Sequence, residues 1–176
     1  MKIRRVVTGH TPGGKSAVVS DSSVDPVTVA LTPGTEFHTL WGGDAMPMFP
    51  DDGSPLPFST YFPPPGGFRF GLVTVPPKSS TPPEILDLEA ALKEMEEKLP
   101  GMASHMDPNA PGMHVTDTID FIYVISGEIW LELDDGKEVL LRAGDTLVQN
   151  GTRHGWHNKG SEPCRFAICL NGTHHA

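Results

Sequence analysis

Three side chains in the C-terminal half of the sequence, His114, Asp120 and His154, are of types that bind metal ions or move protons. Side chains alternate between the two faces of a strand, so His114 and Thr116 share a face, and Asp120 returns to it after a short turn. In an antiparallel barrel His154 can lie across from them. Two imidazoles and one carboxylate form the donor set of a facial triad, which suits Fe(II), Mn(II), Zn(II) or Ni(II). Such a triad leaves positions open for substrate or water.

The same polar residues could instead bind an organic ligand directly, through hydrogen bonds inside a pocket. Thr116 is a poor metal ligand and is a candidate for contact with a substrate. Together with Asp117 it could also fix the tautomer of His114. Trp156 shares strand parity with His154, so we expect it to line the same pocket.

Two residues are candidates for moving a proton, Asp117 and Tyr123. Tyr123 lies an odd number of positions from Asp120, which favours the outer face of the strand, and it can act as an acid only if it faces inward. The remaining histidines are weaker candidates. His157 is out of phase with His154, and His38 and His105 are isolated, as is typical of surface or core histidines.

A succession of short strands has to position these residues. From residue 112 onwards strands alternate with turns, and Asp134-Asp135-Gly136 predicts a hairpin turn. Strands spaced by eight to twelve residues predict an all-β sandwich or barrel. The proline- and glycine-rich stretch 42–67 predicts a loop. In the N-terminal half the apolar runs predict strands at residues 2–8, 16–20, 27–31, 35–41 and 68–75.

The clearest helix is predicted over residues 82–99, with Thr81 as N-cap and Pro100-Gly101 as terminator. Apolar side chains recur there at spacings of three and four, which produces one apolar stripe. The stripe could pack on its own barrel, which we favour, or on a partner helix. Its members are Ile85, Leu88, Leu92, Met95 and Leu99.

Residues 9–16 match the phosphate-binding pattern G-x-x-x-x-G-K-S. That pattern works only when a helix follows directly, because the helix N-terminus holds the phosphates. The segment after Ser16 is β-branched and is then broken by Pro26. We therefore predict a glycine-rich hairpin tip and no nucleotide chemistry.

The segment Gly112–Gly127 resembles the first motif of the cupin superfamily, in which two histidines, a glutamate and a glycine stand at fixed spacing. In this sequence those positions hold His114, Thr116, Asp120 and Gly127. Because threonine replaces the second histidine and aspartate replaces the longer glutamate, the first motif is degenerate. Three metal donors remain where the family has four.

The segment Gly144–Asn158 resembles the second cupin motif, with Gly144-Asp145 opening it, His154 as ligand and Asn158 closing it. Its middle is one residue shorter than usual and lacks the usual proline. The resemblance covers about residues 110–170. It implies that residues 1–176 form a single cupin domain, a small double-stranded β-helix or jelly-roll barrel with one helix near 83–99.

The resemblance implies three functions that the sequence does not separate. The first is a metal-dependent enzyme acting on a small organic molecule as a lyase, isomerase, decarboxylase or hydrolase, with a divalent metal ion held by the triad as Lewis acid. The second is an Fe(II) dioxygenase that uses the same residues. The third is a non-catalytic cupin that binds a small molecule. A homodimer is an expected assembly, because cupins commonly pair through their sheets.

Composition limits which binding partners and which cellular compartment we expect for this protein. The net charge of −9 argues against nucleic acid and membrane surfaces as partners. Cys164 and Cys169 are five positions apart in one predicted strand, so they point to opposite faces and are not expected to pair. With no apolar run of about 18 residues, we expect a cytoplasmic protein.

Overall fold

A computed structural model describes residues 1–78 and 87–174 of the chain, and nearly all of the regular structure in those ranges is strand. The two short helices are α1 (Leu88–Lys98) and α2 (Met102–His105). The strands are β1 (Ile3–His10), β2 (Ser16–Val24), β3 (Glu36–Gly43), β4 (Phe68–Val75), β5 (Thr118–Ser126), β6 (Glu128–Glu132), β7 (Glu138–Arg142), β8 (Thr146–Asn150), β9 (Gly155–His157) and β10 (Cys164–Gly172).

Two antiparallel sheets enclose the main core. The larger has the order β3-β4-β10-β5-β8 and the smaller has the order β7-β6-β9. Both sheets contribute to one buried apolar cluster, with Val124 and Phe166 from the larger sheet and Ile129 and Leu141 from the smaller. This architecture confirms the predicted all-β jelly roll.

The N-terminal segment forms a separate two-stranded hairpin of β1 and β2. The glycine-rich stretch with the phosphate-binding pattern is the tip of this hairpin, as predicted, and it is followed by strand β2. The hairpin turn at 134–136 between β6 and β7 is also confirmed. The prediction of a strand at 27–31 was wrong, because only Val27 forms a bridge there, to Phe37.

Helix α1 begins later than predicted. Its N-cap is Asp87, whose side chain accepts a hydrogen bond from the backbone N–H of Ala90 at 2.9 Å. The predicted N-cap Thr81 and the first stripe residue Ile85 lie outside the described residues. Met95 and Leu99 are buried in a second apolar cluster with Val29 and Met102, so the helix packs on its own domain.

The long connection between β3 and β4 forms no strand or helix over residues 44–67. It is held by Arg69, a buried guanidinium on β4. Arg69 donates to the carbonyl oxygens of Gly43 at 2.7 Å and Thr60 at 2.8 Å and pairs with Asp44 at 2.6 Å. The backbone N–H of Tyr61 donates to the carbonyl of Pro100 at 2.8 Å. These contacts bring the loop against the segment that precedes β5.

The two cysteines are free thiols, as predicted from their spacing. Cys164 is completely buried and Cys169 is partly exposed. Within residues 1–78 and 87–174, no helix is long and apolar enough to cross a membrane.

Candidate functional site

The structure brings two of the predicted donors, His114 and His154, side by side. They form an isolated antiparallel bridge, in which the backbone N–H of each donates to the carbonyl of the other at 2.8 and 2.9 Å. Directly paired residues point their side chains to the same side. The two imidazole centroids accordingly lie 4.2 Å apart.

Backbone carbonyls lie next to one ring nitrogen of each histidine. Nδ1 of His114 is 3.3 Å from the carbonyl of Gly112, and Nδ1 of His154 is 2.9 Å from the carbonyl of Thr152. Gln149, which also lies near His154, uses its amide N–H groups on Thr152. When each Nδ1 carries the proton and donates to its carbonyl, both Nε2 atoms keep a lone pair for a metal ion or a proton.

Burial keeps this pair uncharged. It lowers the pKa of His114 to about 4, and the neighbouring His154 and His105 add to the effect. Burial also lowers the pKa of His154, although the contact with Thr152 opposes the shift. Both imidazoles are therefore neutral near pH 7, which is the form that binds metals.

Asp120 lies on β5 and is only 3% exposed. Its Oδ1 has no hydrogen-bond partner among the described residues. Burial raises the pKa of this carboxyl to about 6, against a smaller opposing effect of the Thr118 hydroxyl. Tyr61 belongs to the loop 44–67. Its pKa is raised mainly by burial and secondly by the charge of Asp120, so this part of the loop lies near the carboxyl of Asp120.

The two imidazoles fit a divalent metal in their chemistry, since they are neutral, adjacent and have tautomers favoured by backbone carbonyls. A buried carboxylate oxygen without a partner is also what a hard or borderline cation prefers. However, residues 1–78 and 87–174 contain no group of three or more His, Cys, Asp or Glu side chains that could hold a metal ion. The structure thus forms a centre of two imidazoles, and Asp120 is not assembled with them into the predicted triad.

Thr116 and Trp156, which we expected to contact a substrate, line neither of the two cavities near the histidine pair. Thr116 is buried, but its hydroxyl is 2.8 Å from that of Thr118, so the expectation that it fixes the tautomer of His114 was wrong. The ring of Trp156 meets His154 edge-on at 5.7 Å and packs against the core residue Phe166. Trp156 therefore supports His154 from the core side.

The two candidate proton carriers lie in different surroundings. Tyr123 is 50% exposed on the face of β5 opposite to Asp120, because odd separations change the face. It therefore does not face inward, as an acid in this site would have to. Asp117 is exposed and lines two cavities. His157 faces Glu132 on the smaller sheet, away from the histidine pair, as its parity indicated.

Two cavities, of about 360 and 270 Å³, open beside the histidine pair. His105 and Asp117 line both of them. The larger cavity also reaches His114 and Arg153, and the smaller one reaches Phe62. Arg153 is already paired with Asp107 at 2.7 Å and with Asp134 at 3.0 Å, so its charge is largely compensated within the protein.

His105 is a residue of this site that sequence reasoning missed. It ends helix α2, and its carbonyl accepts a hydrogen bond from the backbone N–H of Val115 at 3.3 Å. Its Nδ1 is 2.7 Å from the carbonyl of Gly101, and its ring lies 4.7 Å from Phe62. The sequence around His105 has no second histidine at a ligand-like spacing, so it did not predict a role in the site. His105 lies there because helix α2 folds next to the bridge between His114 and His154.

Comparison with known families agrees with this reading. Residues 104–171 match the family model of the cupin domain, and the matched range includes His105, His114, Asp120 and His154. The matched range is less than half of the chain, and within it the chain is similar to a cupin domain.

Curated relatives match only part of the chain. Phomopsin biosynthesis cluster protein D of Diaporthe leptostromiformis is 38% identical over 88 residues, which is 50% of this chain and 43% of that protein. The cupin-domain-containing oxidoreductase virC of Hypocrea virens is 39% identical over 61 residues, 33% of this chain and 31% of that protein. The matches therefore span less than half the length of these relatives.

Two solved structures align with nearly the whole chain. The cupin domain of Cnp3 from Schizosaccharomyces pombe gives a TM-score of 0.49 at 12% identity, with 98% of this chain and 89% of that chain covered. A putative ethanolamine utilization protein from Salmonella typhimurium gives a TM-score of 0.46 at 11% identity, with 99% of each chain covered.

Proposed function

We propose that this chain is a cupin enzyme that uses a divalent metal ion to act on a small organic molecule, in a reaction of the lyase, isomerase, decarboxylase or hydrolase type. The observation that carries this proposal is the histidine pair, two neutral imidazoles 4.2 Å apart beside a cavity large enough for a small organic molecule. Pockets with a few convergent polar groups are typical of small-molecule sites.

The residues have distinct roles in this proposal. His114 and His154 would hold the ion through Nε2. The carboxyl of Asp120, which the structure does not bring into this pair, is the candidate tested for a third ligand. A bound metal supplies Lewis-acid polarisation of a substrate oxygen. His105 leaves its own Nε2 to exchange a proton with a molecule in the cavities, since its Nδ1 lies at the carbonyl of Gly101. Asp117, which lines both cavities, is the second candidate for that step.

Metal content of the purified protein is the first test. We expect near-stoichiometric metal by elemental mass spectrometry in the parent protein and its loss in His114→Ala and in His154→Ala. The control His157→Ala removes an imidazole that faces Glu132 and should keep the metal. A parent protein without metal after reloading, or variants that retain it, would contradict the proposal.

Asp120→Asn tests the third donor separately. It keeps the shape of the side chain and removes the negative charge. If Asp120 binds the metal, the dissociation constant should rise roughly tenfold or more, in line with the effect of losing a group that supports a metal site. An unchanged dissociation constant would assign the metal to the imidazoles alone.

Oxidation is a second candidate function, because a matching relative is named as a cupin-domain-containing oxidoreductase. In that case iron-loaded protein should consume dioxygen when a panel of small phenols and enols is added, and His114→Ala should not. Tight binding of one of these compounds without turnover would favour a non-catalytic binding protein instead.

A further inference from the structure

A third cavity, of about 560 Å³, lies between the N-terminal hairpin, strand β3 and the loop 47–56. It shares no lining residue with the two cavities at His105. Its walls carry the cations Arg4 and Arg5 from β1 and the aromatic side chains of Trp41, Phe49 and Phe70. This combination of charge and aromatic surface is not used by the proposed metal chemistry.

Arg5 is the cation with unused hydrogen-bonding capacity. One terminal N–H donates to the carbonyl of Leu40 at 3.0 Å, and the guanidinium lies 5.6 Å from the ring centroid of Trp41. Its Nε is buried and has no hydrogen-bond partner among the described residues. Across residues 1–78 and 87–174 Arg5 forms no ion pair, whereas Arg4 binds both carboxylate oxygens of Asp21 at 2.7 and 2.8 Å.

The acidic residue in the wall does not neutralise Arg5. The carboxylate of Asp51 accepts a hydrogen bond from the backbone N–H of Gly53 at 2.7 Å, within its own loop. A guanidinium offers donors in a planar fork that matches a carboxylate, and such charge-assisted bonds are stronger than neutral ones. The terminal nitrogen Nη2 of Arg5 forms no hydrogen bond with the described residues and is not a buried atom, so it is the donor that a carboxylate in the cavity can reach.

Aromatic side chains surround this cation. Phe49 is 79% exposed and Phe70 is 43% exposed, which is high for phenylalanine in a folded domain. Both line the cavity with Trp41. A flat apolar ring placed between them would remove exposed aromatic surface from water.

We infer that this groove binds a small aromatic carboxylate, whose anionic group pairs with the free donors of Arg5 and whose ring packs against Trp41, Phe49 and Phe70. The site is separate from the histidine pair and does not depend on the proposed metal chemistry.

Calorimetric titration with 1-naphthoate tests this assignment. We expect binding to the parent protein and at least roughly tenfold weaker binding to Arg5→Gln, the effect of losing a charged hydrogen bond. The matched control Lys2→Gln removes a neighbouring cation that pairs with Asp25 at 3.2 Å and does not line the cavity, and its affinity should equal that of the parent. The uncharged analogue 1-naphthalenemethanol should bind at least roughly tenfold more weakly than 1-naphthoate.

A second variant keeps the proposal testable if Arg5→Gln does not fold. Phe49→Ser changes a side chain that is mostly exposed, so the fold should persist while affinity for 1-naphthoate falls. His114→Ala should bind 1-naphthoate as the parent does, which separates this site from the metal proposal. Equal affinity of parent and Arg5→Gln, equal affinity for the uncharged analogue, or no binding to the parent would each overturn the inference.

Discussion

At the residue scale, the site depends on burial acting differently on two kinds of group. Desolvation disfavours the charged form, so it lowers the pKa of the two histidines and raises that of Asp120. Both effects disfavour charge in the interior of the barrel. Groups with strongly shifted pKa values that converge at a cavity are typical of functional sites, although structural networks can produce them too.

A half-buried ion pair at the cavity rim, between Asp107 and Arg153, gives a pH prediction. The backbone N–H of Asn109 and then Arg153 hold the pKa of Asp107 below its ordinary value of 3.8. Because the folded-state pKa is the lower one, this interaction stabilises the fold above the ordinary value and is lost as pH falls through the folded-state pKa. Thermal melts between about pH 5 and pH 2.5 should show a smaller loss of Tm for Asp107→Asn than for the parent.

The control for this experiment is Glu97→Gln. Glu97 is an exposed helix residue whose nearest cation, Lys93, is 3.9 Å away. Exposed pairs of this kind contribute little to stability, so its profile should follow the parent. Parallel profiles for Asp107→Asn and the parent would contradict the predicted role of Asp107.

At the scale of elements, glycines set the turns between the motif strands. Gly127 joins β5 to β6 at φ 74°, and Gly144 joins β7 to β8 at φ 96°. A Cβ on Gly127 would lie 2.6 Å from the carbonyl oxygen of Pro163, whereas a Cβ on Gly144 would meet no atom within 4 Å. Both positions therefore need a left-handed backbone, but only Gly127 lacks room for a side chain.

This difference predicts unequal costs of substitution. Gly144→Ala should lower the free energy of unfolding by about 1–2 kcal/mol through the left-handed backbone alone. Gly127→Ala should lose about 1–3 kcal/mol more, because the neighbouring chain must move. Urea unfolding of both variants measures this, and equal costs would show that the contact with Pro163 relaxes freely.

The elements also show what the sequence could and could not predict. Strand periodicity and turn residues were enough to predict β4, the two hairpins and the meeting of His114 with His154. The loop 44–67 has no periodicity, and its contact with Pro100 joins residues far apart in the sequence, so the approach of Tyr61 and Phe62 to the site had no local signal. His105 was missed for the same reason, and the failure of Asp120 to join the pair depends on side-chain geometry that spacing does not describe.

At the scale of the whole molecule, the outer face of the larger sheet is apolar. Phe70, Cys169, Phe121 and Val148 are aligned neighbours across β4, β10, β5 and β8. Three of them are between 43% and 54% exposed. The next row is also free of charge and consists of Leu72, Ala167, Tyr123 and Thr146. A face of this kind can pack on a copy of itself about a twofold axis, so we propose that the predicted homodimer forms here.

Sedimentation velocity checks the dimer. Val148→Lys places a charge in the aligned row and should convert a parent dimer into monomer, because an unpaired buried charge opposes association. Val139→Lys is the matched control, since Val139 is 44% exposed on β7 of the other sheet. A monomeric parent, or a dimer that survives Val148→Lys, would contradict this interface.

Phe70 is one of the aligned apolar residues on the outer face of the larger sheet, and it also lines the groove that contains Arg5. A ligand in the groove and a second subunit on the sheet would then touch the same side chain from two directions. Binding free energies of two such partners are linked, and each changes the affinity for the other by the same factor. An aromatic acid that binds the groove would thereby also set how readily two chains associate.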